Sequence, residues 1–206
     1  QAGMIGGNDA HVGVVTTRED NFFGEFANGL PSPERWKTPL AMGKDGKPVV
    51  SVWNESASGL GGVWARENTR EAIWDALKRK EVYTTTGDRP IVRLFAGWDF
   101  VPADRDRADF VADGYARGVP MGGNLSKAPA GKRPVFMVHA LRDANGPNLD
   151  RIQIVKGWLD KDGKAQERIF DVAVSGGRKI GPDGRCKTPV GNTVDVANAT
   201  YANTIG

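Results

Sequence analysis

Glycine and proline punctuate this chain densely: 27 glycines and 12 prolines in 206 residues, about one position in five. Proline breaks helix interiors and glycine supplies turns. A bundle of long helices is therefore excluded, and short strands joined by loops are favoured. At 22.2 kDa the chain can bury a real core, as one large domain or two small ones. Its 39% hydrophobic and 26% charged residues exclude a disordered or fibrous protein. No run of about 18 apolar residues occurs, so no membrane-spanning helix is expected. The net charge is only +3 with no long basic run, which argues against a nucleic-acid partner. The single cysteine, Cys186, excludes an internal disulfide and a cysteine-based zinc site. The two histidines, His11 and His139, limit any histidine-rich metal site built from this chain alone.

Three zones follow one another. The first, residues 1–47, holds a strand candidate at 3–7, then Asn8-Asp9-Ala10-His11, then a segment in which Pro31, Pro33 and Pro39 oppose a long helix. It opens on Gln1 and an apolar stretch with no charged segment ahead of it, which reads as an internal piece of a longer polypeptide. The second zone, 48–98, has strand propensity at 49–53 and a small-residue loop at 54–62. The clearest helix spans 69–80. Asn68 stands at its N-cap, Glu71 at the capping-box position, and Ala72, Ile73, Ala76 and Leu77 form its apolar stripe. Lys78-Arg79-Lys80 complement the dipole at its end. Strands follow at 82–86, stopped by Gly87, and at 91–96.

The third zone is irregular from 99 to 132 and strand-rich beyond. Strands are expected at 135–141, 151–156 and 169–174, and Asp162-Gly163 supplies a hairpin turn between the last two. The tryptophans Trp53, Trp64, Trp74, Trp98 and Trp158 read as core anchors. The chain is thus α/β at the front and mostly β behind, divided as 1–97 and 98–206.

Asp9 and His11 carry the sharpest chemical signal. In an extended chain, residues i and i+2 point to one side. A carboxylate and an imidazole so placed can share a pocket and bind zinc, manganese or iron. Taken alone, the pair is a weak motif and reads first as a turn aspartate beside a partly buried histidine. The surrounding residues add to it. Gly6-Gly7-Asn8-Asp9-Ala10-His11, followed by Asp20-Asn21-Phe22-Phe23-Gly24, resembles the last metal-binding motif of the polymerase-and-histidinol-phosphatase (PHP) superfamily. The block 58–87 is similar to the helix–strand pair that follows that motif. Within the superfamily the chain resembles a bacterial branch, domain of unknown function family 3604. That resemblance continues through Gly97-Trp98-Asp99-Phe100, residues 114–123, residues 148–158 and residues 190–201.

The resemblance implies a metal-dependent hydrolase, phosphoesterase-like, on a distorted β/α barrel whose closing elements lie in residues 1–97. A mostly β accessory region, truncated at its end, would follow. It implies that Asp9 and His11 bind divalent metal, while the earlier ligands lie on the remainder of the same polypeptide, so these residues alone would not be active. A small-molecule substrate, such as a phosphate ester, is the expected partner. Ser58 and Gly59, in a loop near the barrel mouth, and Arg66 and Arg70, beside the helix start, are candidates to hold it. Since relatives are often exported, a periplasmic or secreted location is implied. As a piece of a barrel, the chain is expected to expose Met4, Ile5, Val50 and Val52. The other reading is a non-catalytic β-rich module that binds a carbohydrate or a protein.

The remaining candidates read as structural. His139 fits a hydrogen-bonded sheet position, and Cys186 has no histidine base near it in sequence. The loops Asp143-Ala144-Asn145-Gly146 and Asp160-Lys161-Asp162-Gly163 lack the closing glutamate of a calcium loop and read as turns.

Overall fold

The computed structural model describes residues 3–7, 29–55 and 59–206, apart from the side chain of Trp53. It divides into two compact units, Gln1–Asp143 and Ala144–Gly206.

In the first unit, β1 (Pro39–Met42) and β2 (Pro48–Ser51) pair as an antiparallel ribbon. The strand expected at 49–53 stops early. Asn54 Oδ1 accepts hydrogen bonds from the Ser51 backbone N–H at 3.2 Å and its hydroxyl at 2.9 Å, which curls Val52–Asn54 into a 3-10 turn. That turn buries Val52, which is 3% exposed, contrary to expectation. Val50 is half-buried, whereas Met4 (80%) and Ile5 (58%) are exposed as expected.

Next come β3 (Gly61–Val63), α1 (Arg70–Arg79) and β4 (Val82–Thr84). The helix lies where its apolar stripe predicts, with Ala76 fully buried and Ala72, Ile73 and Leu77 half-buried. Its cap is Thr69, not Asn68: Thr69 Oγ1 accepts from the Ala72 N–H at 3.3 Å. Glu71 consequently sits in the first turn, where the dipole favours it, but is not a capping-box partner. Trp74 lies off the stripe and is 64% exposed, so it is not a core anchor.

β3 and β4 are antiparallel, with Gly61 opposite Thr84 and Val63 opposite Val82. Residues 3–7 form no strand. They pack against this pair without backbone hydrogen bonds to it among the described residues. A Cβ at Gly3 would lie 2.9 Å from the Lys80 side chain, and one at Gly61 2.7 Å from that of Ile5. The segment thus lies against side chains and backbone of this region and does not extend the ladder.

β5 (Ile91–Gly97), β6 (Gly118–Pro120) and β7 (Val135–Leu141) form an antiparallel sheet in the order β6-β5-β7. Between β5 and β6 the chain is not irregular, as the sequence suggested. It holds a 3-10 turn, Pro102–Asp106, and a second helix, α2 (Phe110–Arg117). Phe110 and Gly114, one turn apart, are the buried positions of α2. The core of this unit is Phe95, Phe100, Phe110 and Met137. Phe95 meets Phe110 edge-on at 5.7 Å. A Cβ at Gly114 would stand 2.5 Å from the Phe95 ring, so α2 can lie this close only with glycine there. Asp104 Oδ2 accepts from the Val101 N–H at 2.8 Å and pairs with Arg117 at 3.0 Å, fastening the turn to the end of α2.

The second unit is built on a hairpin of β8 (Arg151–Leu159) and β9 (Ala165–Val174). Its turn is the predicted one. The Gly163 N–H donates to the Asp160 carbonyl at 3.0 Å, with Gly163 at φ +75°, and Asp160 Oδ1 accepts from the Asp162 and Lys164 N–H groups. A small ribbon, β10 (Val194–Asp195) with β11 (Thr200–Tyr201), completes the unit.

The whole is mixed α/β. Its sheets have two or three strands, all pairings are antiparallel, and no closed barrel is seen among the described residues. No helix among them is long and apolar enough to cross a membrane.

Candidate functional site

Three chain segments meet at the C-terminal end of β4. Thr85, the residue after the strand, is buried. Its N–H donates to the Leu60 carbonyl at 2.9 Å, and its Oγ1 accepts from the Leu60 N–H at 3.0 Å. This reciprocal pair pins residues 59–60 to the strand end. A Cβ at Gly59 would lie 2.2 Å from the Thr85 carbonyl oxygen and 3.6 Å from that of Gly7. A Cβ at Gly6 would lie 2.8 Å from Thr84 Cβ. The Gly59 backbone approaches the Thr85 carbonyl to a distance that only glycine permits, with Gly7 at ordinary contact distance.

Gly59 is therefore part of this corner. Asp9, His11 and Ser58 lie outside the described residues, though Gly7 and Gly59 beside them in sequence are brought together here. Arg66 and Arg70 are exposed, and no hydrogen bond or ion pair among the described residues links either to the corner. Arg70 lines an open depression on α1 with Glu71, Ile73, Trp74 and Leu77. Thr85 is the polar residue that the sequence reading passed over, as one of three consecutive threonines in a strand. Nothing in its spacing distinguishes it from Thr84 or Thr86.

A divalent metal needs about three protein ligands at a catalytic site. Among the described residues no group of three His, Cys, Asp or Glu could hold one. His139 fits its structural reading: its ring stacks on Phe110 at 4.1 Å and 5°, and Nε2 lies 3.0 Å from the Arg105 carbonyl oxygen. Cys186 is buried, with Sγ 3.6 Å from the Thr188 carbonyl oxygen and no imidazole base bonded to it among the described residues.

Two buried charge networks were not anticipated. In the first unit, Glu81 accepts from the Tyr115 hydroxyl and pairs with Arg79 at 3.2 Å and Arg93 at 3.9 Å. The Arg93 guanidinium also donates to the Tyr115 oxygen at 2.9 Å and lies 3.9 Å above the Trp64 ring. Trp64, half-buried, donates its indole N–H to the Val92 carbonyl at 3.0 Å, so this tryptophan does anchor the interior. Burial, and then the Glu81 carboxylate, push the Tyr115 phenol above its ordinary pKa.

In the second unit, Asp171 has no exposed side-chain surface. It accepts from the Cys186 N–H at 2.6 Å, the Gln153 amide at 2.6 Å, Arg151 at 3.2 Å and Arg185 at 3.3 Å. The Cys186 N–H, the Gln153 amide and the two guanidiniums bring its carboxyl down to about 2. Both networks tie elements together, and Arg185 also lines an open depression with Lys179, Asp183 and Lys187. Their partners come from separate strands and loops, so no local spacing announces them.

The whole chain, residues 1–206, matches the family model described as Protein of unknown function (DUF3604). No curated protein and no solved structure matches it.

Proposed function

The chain belongs to the DUF3604 family along its full length, and from that premise we propose that it supplies Asp9 and His11 to the divalent metal centre of a PHP-type phosphoesterase. The observation that carries this reading is the meeting of Gly7, Gly59 and Thr85 at the C-terminal end of β4. It brings the chain two residues before Asp9 beside the end of β4 and the Gly59–Leu60 segment, so that Asp9, His11 and Ser58 follow or precede one shared corner in sequence. Met4 and Ile5, exposed beside β3, are apolar positions that further barrel elements would cover. Zinc, manganese or iron bound there would act as a Lewis acid and generate hydroxide at neutral pH. Two ligands are too few for such a centre, so the others come from the remainder of the polypeptide. Ser58 and the Gly59 backbone contribute to holding the phosphate ester, and Arg66 and Arg70 add positive charge on the solvent side.

The test is metal analysis of the full polypeptide together with turnover of p-nitrophenyl phosphate and its diester. Asp9→Ala and His11→Ala should each release metal and lower turnover about 100-fold or more. Preparations that carry no divalent metal, or turnover untouched in both variants, would remove the catalytic reading.

A further inference from the structure

The hairpin of the second unit breaks a rule of sheet pairing. Lys156 on β8 lies directly opposite Arg168 on β9, and like charges so placed repel. No acidic side chain among the described residues pairs with either. Each cation instead rests on an aromatic ring of its own strand. Lys156 Nζ is 4.8 Å from the Trp158 ring centre, and Arg168 Cζ is 4.7 Å from that of Phe170. Period-2 alternation sets Ile154, Lys156 and Trp158 on the same face as Phe170, Arg168 and Gln166, their cross-strand partners. The bulge of this hairpin falls near Ile152 and Gln153, clear of the patch. Lys156, Trp158, Gln166 and Arg168 are all exposed. Proteins break such local rules most often at functional sites.

We infer that this ribbon face is a docking surface for an acidic polysaccharide. The carboxylate or sulfate of one sugar would bridge Lys156 and Arg168, and the apolar C–H face of a neighbour would pack on the exposed Trp158 ring. Charge complementarity selects the anion: two adjacent cations, held in place by their rings and without an internal acid, donate charge-assisted hydrogen bonds. The amount of charge selects the sugar. Nucleic-acid binding draws its affinity from many phosphate contacts, whereas this face offers two cations. The Gln166 side chain, opposite Trp158, donates its amide N–H to Asp160 Oδ2 at 2.8 Å, which leaves its amide oxygen to accept from a sugar hydroxyl. The inference does not depend on the metal-centre reading, since the residues belong to a different compact unit.

The test is affinity electrophoresis and calorimetry of the full chain at physiological salt. The probes are polygalacturonate, dextran sulfate, neutral dextran, double-stranded DNA and poly-glutamate. Polygalacturonate or dextran sulfate should bind and neutral dextran should not. Lys156→Gln with Arg168→Gln should weaken binding about tenfold or more, and Trp158→Ala should weaken it several-fold. The double variant should also unfold at an equal or higher urea concentration, since it relieves a repulsion. Binding that survives in the double variant, equal binding of neutral dextran, tighter binding of DNA or poly-glutamate, or no binding of either acidic glycan would each overturn the inference.

Discussion

Gly59 and Gly7 are neighbours in space, yet replacing each by alanine should have opposite effects. At Gly59 the new Cβ would stand 2.2 Å from the Thr85 carbonyl oxygen, a backbone atom. Ordinary contact requires that oxygen to withdraw by about 1 Å. Thr85 is held by two hydrogen bonds to Leu60, of 2.9 and 3.0 Å, and such a displacement breaks both. At about 0.5–1.5 kcal/mol each, the loss is about 1–3 kcal/mol. The stiffer unfolded chain returns about 0.4–1 kcal/mol. Gly59→Ala should therefore destabilise by about 1–2 kcal/mol. With a urea slope near 2 kcal/mol per molar, the midpoint should fall by roughly 0.5–1 M. At Gly7 a Cβ meets nothing within 4 Å among the described residues and the backbone is not left-handed. Gly7→Ala should be neutral or stabilise by up to about 1 kcal/mol. Urea titration gives the midpoints, and hydrogen exchange at the Leu60 and Thr85 amides localises the effect. Equal midpoints for the two variants, or undiminished protection of Thr85 in Gly59→Ala, would refute the close approach on which the candidate site rests.

Asp171 has its carboxyl lowered in the folded state, to about 2, against about 3.9 in an unfolded chain. It therefore contributes stability that is fully present above pH 4 and lost as pH falls toward 2. Hydrogen exchange across β8 and β9 should show protection declining through that window, and Asp171→Asn should flatten the dependence. Tyr115→Phe removes the hydroxyl that donates to Glu81 and accepts from Arg93, and should cost about 1–3 kcal/mol in urea unfolding. Absorbance titration near 295 nm should place the Tyr115 phenol above the ordinary tyrosine range in the folded protein, and the variant should lack that component.

What could be read in the residues was what depends on near neighbours. α1 followed from an apolar stripe with basic residues at its end, and the β8–β9 hairpin from an Asp-Gly turn between alternating segments. α2 escaped notice because a charged stretch precedes it and Gly114 interrupts its apolar face. That glycine is required by the distant Phe95 ring. The choice of Thr69 over Asn68 as cap turns on one residue of phase, since both types cap well. Trp74 and Trp158 look like core residues by type, but their facing is set by the periodicity of α1 and of β8. The corner at Thr85 was legible only as the pair Gly6-Gly7 and a small-residue loop. Their meeting joins residues some fifty positions apart, which no local pattern encodes.

The placing of Met137 makes the chain its own probe of opening. The protein has four methionines. Met4 and Met42 are open to a dissolved oxidant, while Met137 is sealed among Phe95, Phe100 and Phe110. Peroxide can convert the first two to sulfoxide directly, but it reaches Met137 only when β5 and β7 part. The rate at which that thioether gains oxygen, set against the rate at Met4, thus reports how often the aromatic heart of the first unit comes apart under native conditions.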